Sequence, residues 1–525
     1  MLIDVQYMQN TKRLVVSYID NTGGIKLKYY EWETPQKYVA CDSTDPERAK
    51  EYSSWDHKAV KLINVDYPDR YAIYEFMDSL PEKEKKEIFE FNKPDIYFVD
   101  IETGMDPDTK TFAKPESATG EVLTISVVYE DKIILMGVKD LSAEAQERIK
   151  NDTNKYFEKY KSNYKFKYLK YDDEFDMMYN FFYKLVPKMP LITGWNFLQY
   201  DWMYLVNRAK RLKKVVNGKE YYINPAVSSL TKKLNKIWGT EVEIPCHRMI
   251  FDYMQLYEVC DTTIKVKESS SLDYVASKLV GVEKVKYSGS LIKLYSDDFE
   301  QFMYYNAVDS VLVQKIHDSK NYISIIFAIS SLAQIKITDV VSQMNNALAS
   351  LAITEGVLRK RFRDQENIVL FKDETRNRYE NGEGDIEGGW VKDPVVGMNM
   401  WSVCFDFSSL YPTSQRQFYI SPENFVGIDR KVADYYKSNN EAKADFSSEY
   451  CETLSGQKIK INLDEHVVCV NGTVFKKVDS PTIKMLEDVF ADRKKNKKIM
   501  LQKKEELKAV QDEMKALEKE LSGLL

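Results

Sequence analysis

PDIYFVDIETG, residues 94–104, is the stretch that decides the fold. Apolar residues Ile96 to Val99 run into Asp100, Ile101 and Glu102. On an extended strand, side chains two apart point the same way, so Asp100 and Glu102 project from one sheet face. Two carboxylates at a strand end repel each other unless a cation sits between them or water solvates them. The pair alone fits either a metal site or a solvated acidic turn.

Strands and helices alternate outward from this stretch. EVLTISVVYEDKIILMGV (121–138) predicts two strands joined by a turn, and MPLITGWN (189–196) predicts another. EFDMMYNFFYKLV (174–186), QYDWMYLVNRAKRL (199–212) and SSSLDYVASKLV (269–280) predict helices, the last capped by a serine. DDFEQFMYYNAVDSVLVQKI (297–316) predicts a helix with acids in its first turn. This alternation means an α/β unit over residues 94–321, within an α/β (α+β overall) chain. Upstream, residues 1–93 form a β-rich module, with a hairpin at NTGG (21–24) and a short charged helix at PEKEKKEIFEF (81–91). Residues 322–372 mix helix and loop, and the tail from about 481 is helical and charged.

The chain has 525 residues, 44% hydrophobic and 30% charged, which suits a globular protein of several domains. Its net charge of −6 implies no bulk affinity for polyanions, although a local basic surface would suffice. Six cysteines without a CxxC pair, and only four histidines, argue against zinc and for a reducing, intracellular setting. The alternating N-terminus is not a signal peptide, and no apolar run is long enough to span a membrane.

Further carboxylates follow. Asp201 ends NFLQYD (196–201), and Tyr305 and Asp309 share a helical face in YNAVD. Alone, each reads as an ordinary helix charge. DFSSLYPTSQRQFYISPE (406–423) places Asp406 after an apolar strand and beside Tyr411. Residues 493–504 carry seven basic residues and no acid, with Arg493 and Lys497 on one helical face. Leu507, Val510, Met514, Leu517, Leu521 and Leu524 follow 3-4 spacing, an a/d seam that calls for a partner helix.

In order and spacing, DIE, N-x-x-x-Y-D and Y-x-x-x-D resemble the three exonuclease motifs of family B DNA polymerases, and DFSSLYP resembles their motif A, with a close resemblance to the polymerases of T-even-like bacteriophages. The resemblance implies an RNase H-like 3′–5′ exonuclease domain that hydrolyses DNA with two Mg²⁺ (or Mn²⁺) ions per active site. By it, Asp100, Glu102, Asp201 and Asp309 hold the metals and Tyr305 orients the attacking water. Asn196 supports the strand end, and Lys286 touches the scissile phosphate. In the palm, Asp406 and the Phe407 carbonyl bind metal, and the Ser409 and Leu410 amides meet the incoming dNTP. Tyr411 excludes a 2′-hydroxyl, and Arg493 and Lys497 clamp the triphosphate. EGGWVKDP (387–394) stands where the family has Tyr-x-Gly-Gly. Ile386 replaces the tyrosine, and Gly388 and Gly389 are left to approach the DNA.

The domains implied are an N-terminal β-rich domain (1–93), the exonuclease (94–321), a return to the N-terminal domain (322–372), the first part of a palm (373–475) and a first fingers helix (476–525). The sequence contains no D-T-D motif C and no motif B. We therefore expect a phage-encoded subunit acting in the cytoplasm of an infected bacterium. Its partners would be DNA primer–template, dNTPs, a second polypeptide with motifs B and C, thumb and remaining palm, and a sliding clamp reached through that polypeptide. The alternatives are a stand-alone exonuclease with a vestigial palm, or a nucleic-acid-binding regulator.

Overall fold

In the computed structural model, strands β1 (Leu2–Met8), β2 (Arg13–Ile19) and β3 (Ile25–Glu31) form an antiparallel sheet. The NTGG tetrad turns β2 into β3. The Asp20 carboxylate accepts the Thr22 N–H at 2.9 Å, and Gly23 takes φ +79°, a conformation that favours glycine. The structure describes all residues except 238–239, 262, 265, 288, 342–346, 372–392, 394–395, 399, 402, 408, 440–448 and 525. The chain is mixed α/β and divides into two units, residues 1–35 with 66–356, and residues 36–65 with 357–525.

The first unit centres on a six-stranded sheet built from β4 (Ile96–Thr103), β5 (Val122–Tyr129), β6 (Lys132–Gly137), β7 (Lys165–Lys170), β8 (Leu191–Gly194) and β9 (Met249–Asp252). The strand order is β7-β6-β5-β4-β8-β9. β4 pairs antiparallel with β5, and β4, β8 and β9 run parallel. β8 meets β4 only from Ile96 to Phe98. The acidic end of β4 therefore extends past its neighbour, and its free edge is open to side chains.

Three local features fix the geometry around that end. A Cβ on Gly194 would lie 2.3 Å from the Val99 carbonyl oxygen, so only glycine lets β8 end so close to β4. Asn196 then turns the chain with φ +57°, a left-handed conformation that asparagine tolerates. A π-helical turn, Leu198–Trp202, leads into helix α1 (Met203–Arg211). The sequence pattern predicts one continuous helix here; the structure widens its first turn, and Asp201 sits in it.

Helix α2 (Phe299–Lys320) lies against β4 and β5, starting at Asp298, whose side chain accepts the Gln301 N–H. Asn306, Ser310 and Gln314 recur every four residues and form one polar row. Asn306 accepts from the Thr124 hydroxyl at 3.1 Å, Ser310 bonds Ser126 at 2.8 Å, and Gln314 donates to the Glu130 carbonyl at 2.8 Å. Thr124 and Ser126 are buried, and they pair across the sheet with Glu102 and Asp100. This row sets the register of α2 on the sheet, and so fixes which face carries Tyr305 and Asp309.

In the second unit, a five-stranded antiparallel sheet spans Phe425–Ile428, Tyr450–Glu452, Lys458–Lys460, His466–Val468 and Thr473–Lys476. Its small core is Val426, Cys451, Ile461 and Val474. Residues 36–65 join this unit through strand Ser53–Ser54, which pairs with Ile368–Val369, and through Trp55, whose indole donates to Glu423 at 2.5 Å. Helix α3 (Leu410–Gln417) packs on the long helix α4 (Pro481–Leu524). The strand expected before Asp406 does not form. Residues 403–407 are irregular, and Val403, Phe405 and Phe407 are exposed; among the described residues no strand pairs with them. Among the described residues, no helix is long and apolar enough to cross a membrane.

Candidate functional site

At the free end of β4, Asp100, Glu102 and Asp309 come together, with one carboxylate oxygen of each within 4.8 Å of the others. Asp309 is buried, whereas Asp100 and Glu102 are half-buried and keep an edge toward solvent. At such spacing each ionised pair repels by about 3 kcal/mol at an effective dielectric near 20. Three such charges remain together only if protons or cations offset them.

Asn306 offsets part of this by donating to Asp100 Oδ2 at 2.6 Å. Lys284 contributes more, its Nζ lying 2.6 Å from Asp309 Oδ2 and 5.1 Å from the centre of the Tyr305 ring. Tyr305 is buried, and its ring meets Tyr287 edge-on at 5.1 Å. Asp201 lies beside the trio. Its Oδ1 accepts the Ile101 N–H at 3.1 Å, which uses the edge that β8 leaves free on β4.

The electrostatics follow from this crowding. Burial, then the Asp309 charge, push Asp100 up to about 7 against the pull of Lys284 and Asn306. Burial and the neighbouring carboxylates Asp100 and Asp309 hold Glu102 well above the ordinary carboxylate range. Burial and Asp100 do the same to Asp201. Asp309 is raised by burial, although Lys284 and Tyr305 work against it. Burial and Asp309 raise the Tyr305 phenol, while Asp309 holds Lys284 firmly protonated against its own burial.

The donor set fits a divalent cation. It is all carboxylate, the hard oxygen chemistry that Mg²⁺ or Mn²⁺ takes. Asp309 Oδ1 is buried without a hydrogen-bond partner, which is costly in a closed protein and satisfied by a metal.

Other sequence-predicted residues fall as follows. Asn196 makes the turn after β8, and its carbonyl accepts the Tyr200 N–H at 3.0 Å. Lys286 is exposed and pairs with Glu283 at 3.0 Å; Lys284, two residues earlier, is the lysine at the carboxylates. Asp252 was not singled out by sequence. Buried at the end of β9, it accepts the Leu198 N–H at 3.1 Å and the Met254 N–H at 3.0 Å, tying the Asp201 turn to the next helix. A strand-end Asp followed by a helix could have flagged it as a cap.

In the second unit, Asp406, Phe407 and Tyr411 are exposed. Ser409 precedes α3 with φ +52°, and Arg493 of α4 donates to its hydroxyl at 2.6 Å. The predicted residues Ser409 and Arg493 thus meet, next to Leu410 at the start of α3; Lys497 is exposed one turn further along α4. Gly388 and Gly389 lie outside the described residues.

Comparison with known proteins addresses both units. The model of the DNA polymerase family B exonuclease domain matches residues 57–275, and that of DNA polymerase family B matches residues 347–519. Lys284, Tyr305 and Asp309 lie outside both matches and join the site by geometry. The DNA-directed DNA polymerase of Escherichia phage RB69 is 26% identical over 286 residues, 54% of this chain and 30% of that protein. The DNA-directed DNA polymerase of Enterobacteria phage T4 is 25% identical over 262 residues, 50% of this chain and 27% of that protein. The matched region thus spans about three-tenths of these relatives. With an exonuclease-domain match and a polymerase match on separate stretches that together take in most of its residues, the chain belongs to DNA polymerase family B.

Proposed function

We propose that this chain is the front part of a replicative phage-type DNA polymerase and carries its 3′–5′ proofreading exonuclease. The observation that carries this reading is the trio Asp100, Glu102 and Asp309 with Lys284 beside it. Asp100, Glu102, Asp201 and Asp309 would hold two Mg²⁺ or Mn²⁺ ions. Bound there, the ions would supply Lewis-acid stabilisation of the attacking and leaving oxygens of an in-line displacement on phosphorus. The chain's own residues do the rest. Tyr305, fixed by its burial and by Lys284, orients the attacking water with its hydroxyl. Lys284, paired with Asp309, offsets one negative charge of the carboxylate group. Asp201 and Asn306 hold β4 and Asp100 so that the donor oxygens stay aligned.

The same reading gives the second unit half of a nucleotidyl-transfer site. Asp406 and the Phe407 carbonyl would bind metal, and Ser409, Leu410, Arg493 and Lys497 would receive the triphosphate. Tyr411 would select deoxyribose, and Gly388 and Gly389 would border the template. One palm carboxylate cannot hold two metals, and these 525 residues include no motif C. Polypeptide outside these 525 residues would supply motifs B and C, the thumb and the rest of the palm, and through it a sliding clamp, in the cytoplasm of an infected bacterium. Among the described residues, Met398, Met400, Trp401, Val403, Phe405 and Phe407 around this segment are exposed, and apolar side chains so placed ask for cover. In this account residues 94–321 form the exonuclease domain, 1–93 and 322–372 the N-terminal domain, 373–475 the start of the palm and 476–525 the first fingers helix.

The test is digestion of a 5′-labelled primer annealed to template, with Mg²⁺. We expect shortening from the 3′ end, abolished in Asp100→Ala/Glu102→Ala. Cleavage that survives in the double variant would overturn the site assignment.

A further inference from the structure

Lys284 reaches the carboxylates from a segment without helix or strand, residues 281–287. Gly281 ends the helix Leu272–Val280 with φ +62° and turns the chain back. From Asp273 to Val280 that helix rises about 10 Å, and three extended residues cover about the same distance. The returning chain is level with Asp273 again at Lys284, and the Lys284 N–H donates to Asp273 Oδ1 at 2.6 Å. Beside it, the Tyr156 hydroxyl donates to the Glu283 carbonyl at 2.7 Å. Lys159 Nζ donates to the carbonyls of Val280 at 2.8 Å and Gly281 at 2.7 Å. The segment is thus held by its backbone at both ends. Asp273 is itself well placed to hold it: Ser271 caps the helix, and the helix packs on α2, which carries Tyr305 and Asp309.

We propose that Asp273 and Tyr156 are positioning residues of the exonuclease centre: by holding the backbone of Lys284 and Glu283, they keep the Lys284 ammonium against Asp309. The inference rests on the reading of Asp100, Glu102 and Asp309 as that centre, and adds two residues that act on it through Lys284. An acid in a first helical turn ordinarily just offsets the helix dipole. Here the carboxylate also accepts an amide eleven residues on, a charge-assisted bond of the stronger kind. That amide belongs to the residue whose Nζ lies 2.6 Å from Asp309 Oδ2 and 5.1 Å from the centre of the Tyr305 ring. Lys286 shows the other fate open to a lysine in this segment: its side chain is 84% exposed, against 29% for Lys284, and pairs with Glu283. Once its backbone is released, Lys284 is free to turn outward in the same way.

The test is a double-mutant cycle in single-turnover digestion of a 5′-labelled primer with Mg²⁺. Asp273→Ala should slow cleavage about tenfold, and add nothing once Lys284→Met is in place, because it acts through that lysine. Tyr156→Phe should slow cleavage about threefold, and this loss should vanish in the same background. Asp273 is also among the charges that raise Asp309. Asp273→Asn separates the two effects, since it keeps an acceptor oxygen without the charge, and should stay within about twofold of the parent. A second readout needs no cleavage: acetylation by acetic anhydride, read by mass spectrometry as the ratio of Lys284 to Lys286. That ratio should be low in the parent and in Asp273→Asn, and rise toward one in Asp273→Ala. Additive losses in the cycle, an Asp273→Asn as slow as Asp273→Ala, or a labelling ratio unmoved by Asp273→Ala would each overturn the proposal. If Lys284→Met slows cleavage and Asp273→Ala does not, the proposal alone falls. If the parent leaves the primer intact, or Lys284→Met digests at the parental rate, the exonuclease reading falls and the proposal with it, whatever the labelling shows.

Discussion

Asn306 joins helix α2 to the carboxylates through both ends of its amide. The nitrogen donates to Asp100 at 2.6 Å, and the oxygen accepts from the Thr124 hydroxyl at 3.1 Å. A side chain with no exposed surface thus sets both the register of α2 and the orientation of a metal-binding candidate. Asn306→Ala would strand the Thr124 hydroxyl and leave Asp100 with one donor fewer. We predict a loss of about 1–3 kcal/mol in stability, measured by chemical denaturation, and a higher Mg²⁺ requirement for primer digestion. Unchanged stability would show that the polar row does not set the helix register.

Lys284, not Lys286, should matter to cleavage. Lys284→Met removes the cation 2.6 Å from Asp309 and should lower kcat by about 10²-fold or more, as expected for loss of one electrostatic donor. Lys286→Met, on an exposed residue paired with Glu283, should stay within about twofold of the parent, as surface ion pairs contribute little. Single-turnover digestion with both variants decides between them.

The metal-free centre should depend on pH with a definite sign. Asp100 is raised to about 7, chiefly by burial and by Asp309, from the usual carboxylate value near 4. A group whose folded pKa is raised favours folding fully below the unfolded pKa, and this contribution is lost as pH rises through the folded pKa. Without metal, stability should therefore fall between about pH 4 and pH 7 at this centre. Mg²⁺ should restore it, raising the Tm more at pH 8 than at pH 5.5. An equal Mg²⁺ shift at both values would contradict the arrangement.

Gly194→Ala should disturb the site from behind. Its Cβ would meet the Val99 carbonyl oxygen at 2.3 Å, and backbone cannot yield as a flexible side chain does. We expect about 1–3 kcal/mol of destabilisation, with activity lost in proportion to the displacement of β4. Thermal melts alongside digestion rates would check this.

Much of the site could be read from sequence, because strand and helix periodicities are local. Asp100 and Glu102 alternate on β4, and Tyr305 and Asp309 lie one helical turn apart on α2. Lys284 could not be told from Lys286, because both lie in an irregular segment where only tertiary packing decides which side chain turns inward. The capping role of Asp252 is local, but its tie to the Asp201 turn is not legible in sequence, because the Leu198 amide is 54 residues away in the chain. The strand before Asp406 was expected from apolar character alone, and a strand also needs a neighbour to pair with. The π-helical turn at Asp201 carries no periodic signature, and the bond that holds it runs to β4.

The most direct measurement places the purified chain on a 5′-labelled primer–template with Mg²⁺, with and without all four dNTPs. The account predicts shortening from the 3′ end in both lanes, none in Asp100→Ala/Glu102→Ala, and no product longer than the primer. Extension by these 525 residues alone would contradict the claim that the single palm carboxylate Asp406 needs motifs B and C from outside them.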